Sequence, residues 1–310
     1  MNARQQKNSI FVKELLNQKG TPRNQIAALS GLTNTYIKDL EQGKTINIGR
    51  EKIIHFSIAL SLDLYEIDQL LNIFDRTPLS EDDIPIFLSI TEHMRLSSAI
   101  HFNRSYITLS LLEISLRRIP SKSTAILNTL PASFEEEAHY NTLYGNADWP
   151  HPLHNTLYQE VVKEKNLSLT RVLEEGQVVE HYSCKHCVEN IIRKLTDPKA
   201  RELRVIQFQK LIHHIKKYEN FSFYLADSCP TVSFIHKQPN DKFKENGKLL
   251  IIGKSSYEMN HPHGLLVGLA TESQIVIKNF EEELKFTRER IVDAYTDKDK
   301  MVTYLEELIM

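Results

Sequence analysis

Cysteine is scarce in this chain: 310 residues contain three, Cys184, Cys187 and Cys229. Three cannot all pair with one another, nothing suggests a disulfide-stapled scaffold, and a reducing compartment fits. Tryptophan occurs once, as Trp149. Long apolar runs are missing. The longest stretches without a charge, Asn24–Ile37 and Met259–Thr271, span 14 and 13 residues and carry many polar groups, whereas a membrane helix needs about 20 apolar residues. The opening Met1-Asn2-Ala3-Arg4 leads into a polar segment with no apolar signal core. A cytoplasmic protein without a membrane partner is expected. No GxGxxG, P-loop, HExxH or GxSxG pattern occurs, so no cofactor and no ready-made active site is expected.

The chain as a whole also lacks a charge bias, with a formal net charge of −2. Its distribution is uneven. Residues 1–52 hold nine Lys/Arg against four Asp/Glu, and the remaining 258 residues are net acidic at −7. A basic module on a mildly acidic body is what phosphate binding at one end requires. The composition, 41% hydrophobic and 25% charged, is that of a globular protein, and the length predicts two or three domains.

Hydrophobic spacing and capping residues predict five short helices in residues 1–75. Ile10, Phe11, Leu15 and Leu16 lie on the first, which stops at Gly20. Thr21-Pro22 opens the second, with Ile26, Ala27 and Leu29 as its apolar side, and Ser30-Gly31 ends it. Thr33 caps the third, whose buried positions are Ile37 and Leu40 and whose stop is Gly43. A fourth covers Arg50–Ser61. Asp63 followed by Glu66 forms a capping box for the fifth, which carries Ile67, Leu70, Leu71 and Phe74. A turn of about three or four residues around Gly31 sets helices two and three near-perpendicular.

The run Ile26-Ala27-x-x-Ser30-Gly31-Leu32-Thr33, then Tyr36-Ile37, then Leu40-Glu41-Gln42-Gly43-Lys44, with Ala59-Leu60 further on, resembles the Cro/C1-type family of helix-turn-helix regulators, also called XRE. The resemblance covers roughly residues 7–75. It implies a five-helix DNA-binding bundle whose third helix reads double-stranded DNA in the major groove. Carried over position by position, it places DNA contacts at Thr33, Asn34, Thr35, Tyr36 and Lys38, with Arg23 and Lys44 clamping the backbone. Where the family often has Gln at the start of helix two, this chain has Arg23, which replaces the usual Gln contact by a phosphate contact. Glu41 reads as a structural partner for a nearby basic group or amide, not as a base reader.

Residues 76–165 are expected to be a helical linker or dimerisation region, with helical patches between Asp82 and Arg118 and prolines at 120, 131, 150 and 152. There is no Gly/Ser-rich run and no repeat that would support a tetratricopeptide array. Residues 166–310 are expected to be an α/β effector-binding or interaction domain. A hairpin turning at Gly176 is predicted first, between strands at 169–173 and 178–182. Helices follow at Lys185–Leu195 and Pro198–Lys217, then strands at Phe221–Leu225, Thr231–His236 and Lys248–Ile252, a segment Leu265–Leu269 that is either a strand or part of a loop, a strand at Gln274–Ile277, and closing helices at Phe280–Tyr295 and Asp297–Leu308. The predicted fold class is thus α+β multidomain: helix-turn-helix bundle, helical linker region and α/β sensor-like domain.

Three other features draw chemical attention. Cys184-x-x-Cys187 would put two sulfurs on one helix face near His181 and His186. A zinc site usually shows two such pairs, and Cys229 lies 42 residues away, so the pair is a weak metal or redox candidate against the reading of two ordinary thiols. Trp149-Pro150-His151-Pro152-x-His154 could line a pocket but more often packs as a loop. His261-Pro262-His263-Gly264 has no neighbouring carboxylate and reads as a loop. No Ser/Lys dyad of a self-cleaving repressor stands out. The expectation is a transcriptional regulator, not an enzyme, acting as a homodimer on double-stranded DNA and modulated by a small-molecule, peptide or protein effector. Two alternatives stay open: an antitoxin or phage-type repressor whose large C-terminal domain is a protein-interaction surface, and an enzyme fused to a DNA-binding module.

Overall fold

The computed structural model describes residues 3–45, 47–95, 100–103, 106–127, 130–134, 151–230, 232–254 and 266–310. The chain begins with five helices: α1 (Ala3–Lys19), α2 (Arg23–Ser30), α3 (Asn34–Glu41), α4 (Arg50–Ala59) and α5 (Leu64–Ile73). Three glycines punctuate them. Gly20, Gly31 and Gly43 all have positive φ, between 62° and 70°, a conformation that glycine adopts without steric cost. The capping box is present: Glu66 N donates to Asp63 Oδ1 at 2.8 Å while Asp63 N donates to Glu66 Oε2 at 2.9 Å.

A short α6 (Ile84–Ser89) leads to β1 (Ile100–Asn103), α7 (Tyr106–Arg117), β2 (Ser123–Leu127) and the long α8 (His154–Glu174). Then come β3 (Val179–Cys184), α9 (Lys185–Arg193), α10 (Pro198–Lys217), β4 (Phe221–Ala226), β5 (Ser233–Lys237), β6 (Lys248–Lys254), β7 (Leu266–Thr271), α11 (Gln274–Arg288) and α12 (Lys298–Ile309).

The seven strands make one mixed sheet in the order β1-β7-β6-β5-β2-β3-β4. Strands β2, β3 and β4 run parallel, joined through α8 and through α9 with α10, and the rest pair antiparallel. One row of paired residues crosses the sheet through Ala270, Leu250, Ile235, Ala125, His181 and Phe223. Phe223 lies in a core that α8, α9, α10 and α12 supply through Leu169, Val188, Leu211 and Leu305. The opposite face, with Ile126, Tyr182, Phe234 and Leu249, is covered by Ile277 and Leu284 of α11. The mixed sheet with helices packed against it is as expected. Among the described residues no helix is long and apolar enough to cross a membrane.

Three expectations are corrected. Residues 169–174 belong to α8, so no hairpin turns at Gly176. Leu157, Val161, Leu169, Val172 and Leu173 are all buried along one helix face, and Gly176, with φ 78°, follows its end. Residues 274–277 start α11 and are not a strand; Ile275 is 78% exposed while Ile277 is buried, a helical pattern. The sheet also begins earlier than 166, because β1 and β2 fall inside the segment expected to be a helical linker or dimerisation region.

A continuous apolar core runs from Val12, Ile26, Ile37 and Ile54 of the first helices through Phe87, Ile90 and Met94 to Leu111, Leu157, Leu250 and Ala270. The five-helix bundle is therefore joined to the sheet-bearing body through α6 and the turn that follows it. Below this lies an ionic cluster sealed between α7 and α8. Arg117 Nη2 is 2.5 Å from Glu113 Oε1 and 2.9 Å from Ser133 Oγ, and Lys165 Nζ, with the residue 1% exposed, lies 3.8 Å from Glu113 Oε2. Burial alone would push the Glu113 carboxyl up, but Arg117 and Lys165 more than offset it and hold Glu113 below its ordinary range.

Candidate nucleic-acid interface

Local sequence builds the surface at α2 and α3. Ser30 Oγ donates to Ile26 O at 2.7 Å and accepts from Leu32 N at 3.2 Å, and Gly31 N donates to Ala27 O, so α2 is closed within one residue. Thr33 then takes an extended conformation, and its Oγ1 accepts from Tyr36 N at 3.1 Å, the expected N-cap. Ile37 and Leu40 point into the core at 0% and 2% exposure. Their burial leaves Thr33, Asn34, Thr35 and Lys38 on the outer face of α3, all exposed.

Pro22, Arg23 and Asn24 from the start of α2, with Asn34, Thr35 and Lys38 from the first turns of α3, line an open groove of ≈ 550 Å³. Both helices present their N-terminal ends to it. The partial positive charge at the two helix starts favours phosphate oxygens. Amide and hydroxyl groups at Asn34 and Thr35, with the Lys38 ammonium beyond them, can meet base edges or backbone.

Arg23 has a second engagement. Its Nη2 and Nε lie 2.5 and 3.0 Å from Glu41 Oε2, tying the start of α2 to the end of α3. Ser9 Oγ of α1 donates to Glu41 O at 2.6 Å. Glu41 is thus the structural partner its position predicts. The Arg23 side chain remains about half exposed, at 52%, and keeps donors for a phosphate.

The predicted contacts do not all converge. Tyr36 is half-buried, packs on the bundle core and has Lys52 Nζ 4.7 Å from its ring centre; burial raises its hydroxyl pKa. It is not part of the groove lining. Lys44 stands on the turn after α3, 67% exposed and 4.0 Å from Asp39. Asn24 lines the groove and was not singled out by sequence; its place beside Arg23 in the first turn of α2 was the available signal.

The thiol pair has an unforeseen third member. Cys184 ends β3 and is paired in the parallel ladder with Ala226, which ends β4. Cys229 follows three residues after Ala226, so the ladder delivers it beside Cys184 despite the distance in sequence. Its Sγ lies 3.0 Å from Cys184 Sγ and 3.3 Å from Cys187 Sγ, and all three are free thiols. Burial, then the neighbouring sulfurs, pushes the Cys187 thiol up to about 12. That is the opposite of a thiol activated for redox exchange.

His151 is buried, with Nε2 3.1 Å from Asp68 Oδ2 on α5, and Tyr65 meets its ring edge-on at 5.1 Å. His154 opens α8. Trp149-Pro150 and His261–Gly264 lie outside the described residues.

No family model matches the chain, and no curated protein matches it. Among solved structures, that of TrmBL2, an archaeal chromatin protein described as showing a novel mode of DNA binding, aligns with 94% of this chain and 94% of its own at 9% identity and a TM-score of 0.36. A likeness at that level carries no weight for fold or function.

Proposed function

We propose that this protein is a sequence-specific DNA-binding transcriptional regulator of Cro/C1 type, acting as a homodimer, with α3 as its reading helix. The observation that carries the reading is the groove between the two helix starts. Arg23, Asn24, Asn34, Thr35 and Lys38 surround it on a rigid base of buried Ile37 and Leu40. Phosphate-binding and base-reading groups thus share one solvent-open surface. An eight-residue reading helix spans only one half-site, so two copies related by a two-fold axis suit an operator with inverted half-sites. Effector modulation through the sheet-bearing body belongs to the same proposal. Its support is the tie between the two parts: Arg95 N donates to Ala28 O of α2 at 2.7 Å. No catalytic step is part of it.

Selection of genomic fragments by the purified full-length protein at near-physiological salt tests the reading. One or a few sites with inverted half-sites are expected, with affinity falling steeply as salt rises. A folded protein that enriches no sequence, both alone and with cell extract as a source of effector, overturns it.

A further inference from the structure

The three cysteines of this chain come from two segments and meet at one point. Cys184 and Cys187 are the N-cap residue and third residue of α9, so both side chains turn toward the start of that helix. Cys229 comes from the segment that follows β4. The three sulfurs all lie within 4.8 Å of one another, and among the described residues no histidine or carboxylate joins them. Cys184 is buried, Cys187 half-buried and Cys229 exposed, which gives the cluster a floor and an opening to solvent.

We propose that Cys184, Cys187 and Cys229 bind one thiophilic metal ion of the zinc type as a three-thiolate site, with a fourth position open to solvent. This inference is independent of the DNA-binding reading.

Sulfur chemistry selects the ion. A set of thiolates without oxygen ligands disfavours magnesium and calcium and favours zinc, cadmium or copper(I). Zinc–sulfur bonds of about 2.3 Å place tetrahedrally arranged sulfurs about 3.8 Å apart. The two short separations here, 3.0 and 3.3 Å, need to open by only about 0.5–0.8 Å, a small rotation about the Cα–Cβ bonds. A disulfide would instead require one pair to close to about 2.05 Å and leave the third thiol idle. Cys229 sits near both others, an arrangement suited to a shared ion. The start of α9 supplies partial positive charge beside Cys184 and Cys187, which moderates the surplus negative charge of three thiolates around a divalent ion. On binding, three S–H bonds break, three metal–sulfur bonds form and the protons pass to buffer; no electron changes hands.

The test uses the full chain after reduction, titrated with Cd²⁺ and then with Zn²⁺ in competition. The expected result is a sulfur-to-cadmium charge-transfer absorption that saturates at one equivalent and is displaced by Zn²⁺. The variant of choice is Cys229→Ser, because that side chain is exposed and its replacement leaves the core intact; circular dichroism checks the fold. Cys229→Ser is expected to weaken binding by more than the roughly 10–100-fold that loss of an outer-shell partner costs. Cys187→Ser, read the same way, is expected to do likewise. Absence of a saturable band in the folded protein overturns the proposal. So does a Cys229→Ser variant that binds as well as the parent. A reduced protein that ignores both ions and reoxidises to one disulfide with a single titratable thiol overturns it in favour of a structural or redox pair.

Discussion

Gly31, in the turn between α2 and α3, lies against His93: a Cβ placed on Gly31 would stand 2.6 Å from the Cβ of His93. The turn therefore needs glycine twice over, once for its φ of 70° and once for the space His93 occupies. Gly31→Ala is expected to destabilise the protein by more than the roughly 1–2 kcal/mol that left-handed backbone alone costs, as read by chemical denaturation. A stability within 0.5 kcal/mol of the parent, on the order of an ordinary surface change, would contradict the contact. If the turn carries a signal between body and bundle, Gly31→Ala should also shift operator affinity, whereas Gly20→Ala, with open space around its Cβ position, should leave it unchanged.

The polar face of α3 separates reading from packing. Asn34→Ala is expected to lower specific affinity by about 1–3 kcal/mol and relax the sequence preference at one position. Lys38→Ala should weaken binding across sequences and lower the salt slope by about one if it meets a phosphate. Tyr36→Ala is expected to act on folding instead, because its ring is half-buried under Lys52, and Tyr36→Phe should restore stability. Unchanged operator binding by the Asn34→Ala, Lys38→Ala double variant would remove α3 from the interface.

The sealed cluster around Glu113 gives a stability prediction. Glu113→Ala leaves Arg117 and Lys165 charged and unpartnered by the carboxylate in a buried site. A loss of about 3–5 kcal/mol is expected from urea denaturation. Exposed pairs such as Lys216–Glu306, 2.7 Å apart on the surface, should cost under about 1 kcal/mol when broken. Equal effects from the two would contradict the burial of the first.

Acid should unfold this protein early. Burial lowers the pKa of His181 to about 3, with Arg117 adding to the effect, and burial also lowers His55, His214 and His236. Each stays neutral in the folded state at a pH where the unfolded chain, near 6.5, takes up a proton. The unfolded state thus binds more protons between about 3 and 6.5, and stability falls as pH drops through that window. Denaturation at a series of pH values checks it, and His181→Gln should flatten the dependence. A flat profile between pH 4 and 6.5, where the order-of-magnitude linkage effect is largest, would oppose the assignment.

Local signals were legible where one residue type has one physical job. Gly20, Gly31, Gly43, Thr33 and Asp63 marked helix ends correctly, and Pro198 and Lys217 bounded α10 as read. Errors arose where short β-branched or apolar runs stood alone. Arg171-Val172-Leu173 looked like a strand until joined to Leu157, Val161 and Leu169 on the same helical face. Ile275-Val276-Ile277 looked extended, although Ser273 precedes it at a helix start. The outer face of α3 is legible from the spacing of Ile37 and Leu40, whereas the half-burial of Tyr36 against the core is not. Cys229 was beyond sequence reach, since only the parallel pairing of β3 with β4 brings it to Cys184.

The unbroken core from Val12 to Leu250 also bears on how such a chain can be inherited. Its first 75 residues are not a detachable cassette. A recombination event that joined them to another body would have to replace Phe87, Ile90 and Met94 with side chains of matching shape, or leave an apolar face wet. Lineages carrying this architecture should therefore exchange it whole, and changes on the two sides of the seam should be accepted in pairs.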